Sequence, residues 1–118
     1  MGGDPGYALQ RLEMAVAHLT SGEGDARTRL LEAVKDHLNF VHRRDIPDTL
    51  VERWDHIVAA LTSKGSIPRT LLRIRNSTAS NIIGEIVILA EALRAELSAA
   101  NSSGKVLGRL HSKTPQVL

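Results

Sequence analysis

The stretch from Asp45 to Thr62, DIPDTLVERWDHIVAALT, carries the chain's single tryptophan on an apolar stripe of helical period. No other stretch restricts the fold as much. Leu50, Val51, Trp54, Ile57, Val58 and Leu61 recur at the i, i+3, i+4, i+7 spacing of one helix face, and Glu52, Arg53, Asp55 and His56 fall off it. Asp45 is suited to cap the first turn, Pro47 to fill a slot whose N–H needs no partner, and Asp48 to complement the dipole. Trp54 brings the largest apolar area of any residue here, so neighbouring helices are expected to pack around it.

The rest of the core must be built without aromatics, which make up only 3% of a chain that is 42% hydrophobic. Leu, Ile, Val and Ala therefore supply it, a composition that favours helix over strand. At 118 residues the chain is read as one domain over 1–100, long enough to bury a core without staples, followed by a flexible basic tail over 101–118. The absence of cysteine removes disulfides, thiolate metal sites and thiol nucleophiles, and fits a cytoplasmic location. The opening MGGDPGYALQ has no apolar run for a signal peptide, and no window approaches the roughly 18 apolar residues of a membrane span. The basic pI of about 9.4 belongs to the tail. No acid follows Glu96, and without Lys105, Arg109 and Lys113 the formal charge of +2 becomes −1.

In chain order, Asp4-Pro5 starts a first helix with Leu9, Leu12, Val16 and Leu19 inward to about Thr20, and SGEG breaks it. Asp25 caps a second, with Leu30, Leu31, Val34, Leu38 and Val41 inward, ending near Arg43 or Arg44. The third is the tryptophan helix. Ser66-Ile67-Pro68 then repeats the start at Asp45-Ile46-Pro47: IPDTL and IPRTL, 21 residues apart, agree at four of five positions. Shared start chemistry explains the match better than duplication, because the stripes diverge afterwards. A short fourth helix is expected at 67–75. A fifth runs from about Ser77, with Ala79, Ile82, Ile83, Ile86, Ala90, Leu93 and Leu97 inward, to Ala99 or Ala100, before a disordered tail. The expected architecture is all-α: a compact, mainly antiparallel bundle of four longer helices plus one short connector.

Asp45, Pro47, Leu50, Trp54, Ile57, Leu61 and Thr62, followed by Thr70, Leu71, Ile74, Asn76, Ala79, Ile82, Glu85 and Ile86, make an order that resembles a group of small bacterial helical proteins of unknown function. The resemblance covers about residues 30–93. It implies an all-helical fold in a bacterial cytosol and no activity.

The chemistry-bearing residues divide into several sets. His37, between Val34 and Val41, is expected as a hydrogen-bonded core histidine, and His56 as the i, i+4 partner of Glu52. His18 in AHLTSGEG faintly resembles a phosphotransfer histidine, but the lysine-glycine that should follow is missing. The paired carboxylates Asp48/Glu52 and Glu91 with Glu85 or Glu96 read as a helix start and solvated faces. Phosphate loops, nucleophile elbows and Ser-His-Asp orders are absent, so no enzyme, cofactor or metal site is expected. Arg69 and Arg73, one turn apart, with Arg75 at the helix end and Arg43 and Arg44 ending the second helix, form the candidate interaction surface. The helix-turn-helix outline at RNSTAS leaves few base-reading side chains, because its second helix needs its apolar residues for the core. Gly84, Ile88, Ala92 and Ala95, opposite the main stripe of helix five, form a narrow small-residue strip, to be covered by another helix of the same chain or, as a candidate self-association strip, by a second copy. The expected function is a non-enzymatic protein-interaction module, with a homodimer through that strip as one form it can take. The alternative is a nucleic-acid-associated protein using the arginines and tail. A phosphotransfer-like domain or small helical enzyme comes after both.

Overall fold

The computed structural model describes the backbone of residues 3–109 and the side chains of residues 3–100. Five α-helices follow one another: α1 Pro5–Ser21, α2 Ala26–Asp36, α3 Val51–Leu61, α4 Ile67–Arg73 and α5 Asn76–Arg109. Two 3₁₀ turns, Leu38–Phe40 and Arg43–Asp45, lie between α2 and α3, and no strand occurs among the described residues. The all-α class expected from the composition is the observed one.

Three of the helix starts follow from capping chemistry. The Asp4 carboxylate accepts from Tyr7 N–H, Asp25 from Thr28 N–H and the Ser66 hydroxyl from Arg69 N–H, each relieving a donor that a helix start leaves unpaired. The hydrogen bond from the Thr28 backbone is the main reason the Asp25 carboxyl titrates below its ordinary range. At the far end of α1, Arg29 donates to the carbonyls of Leu19 (2.7 Å) and Gly24 (3.1 Å), so a cation from α2 closes the α1–α2 loop.

α5 packs against α1, α2 and α3, and α4 packs against α2 and α3. Ala8, Ala15 and Ala33 have no exposed surface, so these helices approach closely, and Leu12, Leu30, Ile57, Ile86, Leu89 and Leu93 fill the space between. Trp54 is buried, as expected, beside Val34, Leu38 and Leu61. Leu89, off the predicted inner row of helix five, is fully buried. α3 and α5 run in opposite directions: the Thr49 hydroxyl donates to Glu96 (2.6 Å), and His56 lies 3.4 Å from Glu85.

Several boundaries differ from expectation. The second helix stops at Asp36 rather than near Arg43, because at His37 the backbone leaves the helical region. The two 3₁₀ turns coil the chain back so that Leu38, Val41 and Ile46 all reach the core. Phe40 is thereby laid over the Arg11 guanidinium, 4.7 Å from the ring centre. The third helix starts at Val51, not Asp45. The Asp45 carboxylate, buried, accepts instead from Asp4 N–H (2.7 Å), while Gly3 N–H donates to the Arg44 carbonyl (2.9 Å). Gly3 is needed there, since a Cβ would collide with the Asp45 carboxylate and fall 2.6 Å from the Arg44 carbonyl oxygen. α5 passes the expected stop at Ala99 or Ala100 and keeps helical backbone to Arg109. One glycine, Gly104, costs a helix only about 1 kcal/mol relative to alanine, less than is needed to end an established one. The rest of the expected tail, 110–118, lies outside the described residues.

Candidate interaction surface

α4 is built by its flanks. Gly65 adopts φ +113°, a left-handed turn that few other residues accept, and the Ser66 cap and Pro68 then fix the first helical turn. Thr70, with no exposed surface, accepts from Lys64 N–H (3.0 Å), and Leu71 is buried beside it. With Thr70 and Leu71 inward, Arg69 and Arg73 are thrown outward, and Arg75 is exposed just beyond the helix. No ion pair among the described residues engages any of these three arginines.

Leu72 sits with them. It is 80% exposed, more than any other large apolar side chain among the described residues. Helical spacing places Leu72 beside Arg69, three positions back, on the flank between the arginines and buried Leu71. A shallow groove of about 170 Å³ opens along that flank, lined by Asp25, by Arg27, Thr28 and Leu31 of α2 and by Pro68, Leu71 and Leu72 of α4. Leu72 is not among the sequence-predicted site residues, although its i+3 relation to Arg69 is legible in the sequence.

Arg43 and Arg44 do not join this surface. Their turn packs against α1, whereas α4 packs against α2 and α3. Arg43 makes a two-pronged contact with Asp55 (2.9 and 3.0 Å) that raises its own pKa and lowers that of the Asp55 carboxyl, hydrogen bonding being the larger cause in both. Arg44 borders a hollow with Gly3, Pro5 and Pro47. The structure thus divides the five arginines into Arg43, committed to Asp55, Arg44, at a hollow also lined by Asp45 and Asp48, and the three exposed arginines on and just after α4. Arg27, also absent from the predicted surface, holds the end of α4: its guanidinium donates to the Ile74 carbonyl (3.3 Å) and lies 3.4 Å from Asp25.

The histidines also depart from expectation. His56 meets Glu85 across helices rather than Glu52 along its own. His37 Nδ1 is buried without a partner among the described residues, its ring edge-on to His18 with centroids 6.2 Å apart. His18 Nε2 lies 2.9 Å from Glu32. Among the described residues no group of three His, Asp or Glu is placed to hold a metal ion, and no helix is long and apolar enough to cross a membrane.

The small-residue strip on α5 is open over most of its length. A side chain at Gly84 would meet nothing within 4 Å, Ile88 is 46% exposed and Ala95 is exposed, while Ala92 is partly buried against the core.

Comparison of the chain with protein-family models, with curated proteins and with solved structures finds no match.

Proposed function

We propose that the chain is a non-enzymatic helical interaction module of a bacterial cytosol, and that the outer face of α4 binds an acidic segment of a protein partner. The observation that carries this reading is Leu72, 80% exposed on the same short helix as Arg69 and Arg73, with exposed Arg75 two residues beyond it in the chain, none of the three arginines having an ion-pair partner among the described residues. Covering the Leu72 side chain with a partner would contribute about 25 cal/mol per Å² of apolar area removed from water. Three cations on and just after the same helix select an acidic covering group and speed its approach. Phosphates alone would use the arginines and leave Leu72 uncovered, so the pairing of the two favours a protein over nucleic acid.

Leu72→Ala separates the two partners. The wild type, Leu72→Ala and the double variant Arg69→Glu, Arg73→Glu are each checked for an unchanged melt, then compared for retained proteins and for retention of duplex DNA. The expected result is an acidic protein lost on both kinds of substitution, with little DNA held at physiological salt. Retention of DNA that falls steeply with salt and ignores Leu72→Ala would establish the nucleic-acid reading instead.

A further inference from the structure

A second concavity, of about 510 Å³, lies between α3 and α5 and is independent of the α4 face. Ile57, fully buried, closes its base, and half-exposed Ile88 stands at its edge. Its remaining lining is charged or titratable: Glu52, Arg53 and His56 on α3, and Glu85 on α5. The cross-links from Thr49 to Glu96 and from His56 to Glu85 set the register of the two helices. Arg53 therefore stands level with the residues just after Ile88, and Glu85 lies almost a turn before it. Arg53 has no ion-pair partner among the described residues, and Glu85 meets only His56, at 3.4 Å.

From this arrangement we infer that two copies of the chain pair through this groove, α5 against α5 in opposite directions, about a two-fold axis beside Ile88. Such an axis exchanges the two ends of the groove. Each Arg53 then faces Glu85 of the second copy, Ile88 meets Ile88, and Gly84 lies opposite Ala92. Arg53 and Glu85 exchange places on reversal, with Glu52 beside Arg53 at its end and His56 beside Glu85 at the other, and the small–large–small profile at 84, 88 and 92 is the same in both directions. A surface complementary to itself fits a second copy better than a partner of a single charge sign. The open space at Gly84 lets the two helices approach closely, so that both Ile88 side chains leave water.

The symmetry supplies the test. Sedimentation is followed across a concentration series for the full chain, for Arg53→Glu, for Glu85→Arg and for an equimolar mixture of those two variants. The wild type is expected to dimerise reversibly. Each single variant weakens association roughly tenfold, because every substitution acts twice across a two-fold interface. Either variant paired with itself sets like charges together at both contacts. A mixed pair, one copy of each variant, sets opposite charges together at both, so in the mixture association returns to near the wild-type strength. Ile88→Asp, on a half-exposed site, should keep the wild-type melt and sediment as a monomer. A wild type that stays monomeric at every concentration overturns the inference, as does a mixture no tighter than its components. An Ile88→Asp variant that still dimerises overturns it too. The charge-swap comparison does not depend on how that last variant folds.

Discussion

IPDTL at 46–50 and IPRTL at 67–71 differ at one residue and fold differently. The second forms the start of α4 directly: Ser66 caps it, Pro68 occupies the first turn, and Leu71 lies in the core. The first forms no α-helix at all. Ile46 is extended, Pro47 is irregular chain, the residues 48–50 are turn, and α3 begins only at Val51, without a side-chain cap. What differs is the residue before each. The Ser66 hydroxyl reaches the third N–H of its own helix, whereas the Asp45 carboxylate is taken by the amide of Asp4, 41 residues away. The threonines diverge with it: Thr70 is buried and accepts from Lys64 N–H, while Thr49 is exposed and donates to Glu96. A capping residue acts locally only when no distant donor competes for it.

The two leucines are where the pentapeptides still agree, since both are buried, and there the largest effects are expected. Leu50→Ala and Leu71→Ala should each cost about 2–5 kcal/mol in urea unfolding. A small loss at one of them alone would mean that the motifs differ in packing as well as in capping. Next comes Asp45→Ala, which strands the Asp4 amide and should cost about 1–3 kcal/mol. Faster hydrogen exchange at Asp4, with the amides of α3 unchanged, would show that this carboxylate serves α1; faster exchange at the start of α3 would restore it as that helix's cap. Ser66→Ala should cost about 1 kcal/mol, and its exchange signature should be confined to Arg69 and its neighbours. The smallest effect is the most telling. Asp48→Arg makes the two pentapeptides identical, yet it should change stability by less than about 0.5 kcal/mol and leave α3 starting at Val51 by backbone chemical shifts. A helix start that moved back to Ile46 would show that the pentapeptide, not its surroundings, decides.

The two surfaces proposed for binding follow the same division. Arg69 and Arg73 are legible as a pair because their spacing puts them on one helix face opposite Leu71, and the short fourth helix forms over nearly the expected residues. Leu72 is legible by the same spacing. Arg43 is not, because its partner Asp55 is twelve residues on, beyond the turn that delays the start of α3 to Val51, which nothing in the local pattern announces. The α3–α5 groove is invisible in the sequence for a similar reason: Arg53 and Glu85 share it only because α3 and α5 pack side by side in one register.

Local pattern was sufficient for the class of fold, most of the inner faces of the helices (Val58, expected inward, is exposed, and Leu89, off the expected row, is buried), the starts of α1, α2 and α4, and the outward arginines of α4. Each depends on groups within about a turn of one another, where backbone geometry alone sets who can meet. Tertiary structure alone decided where the second helix breaks, where the third begins and which partners Asp45, Arg43 and His56 take. There, groups of nearly equal local preference are chosen between by burial and by donors from elsewhere in the chain. A single hydrogen bond or buried side chain, worth about a kilocalorie or more, outweighs differences in propensity of a few tenths.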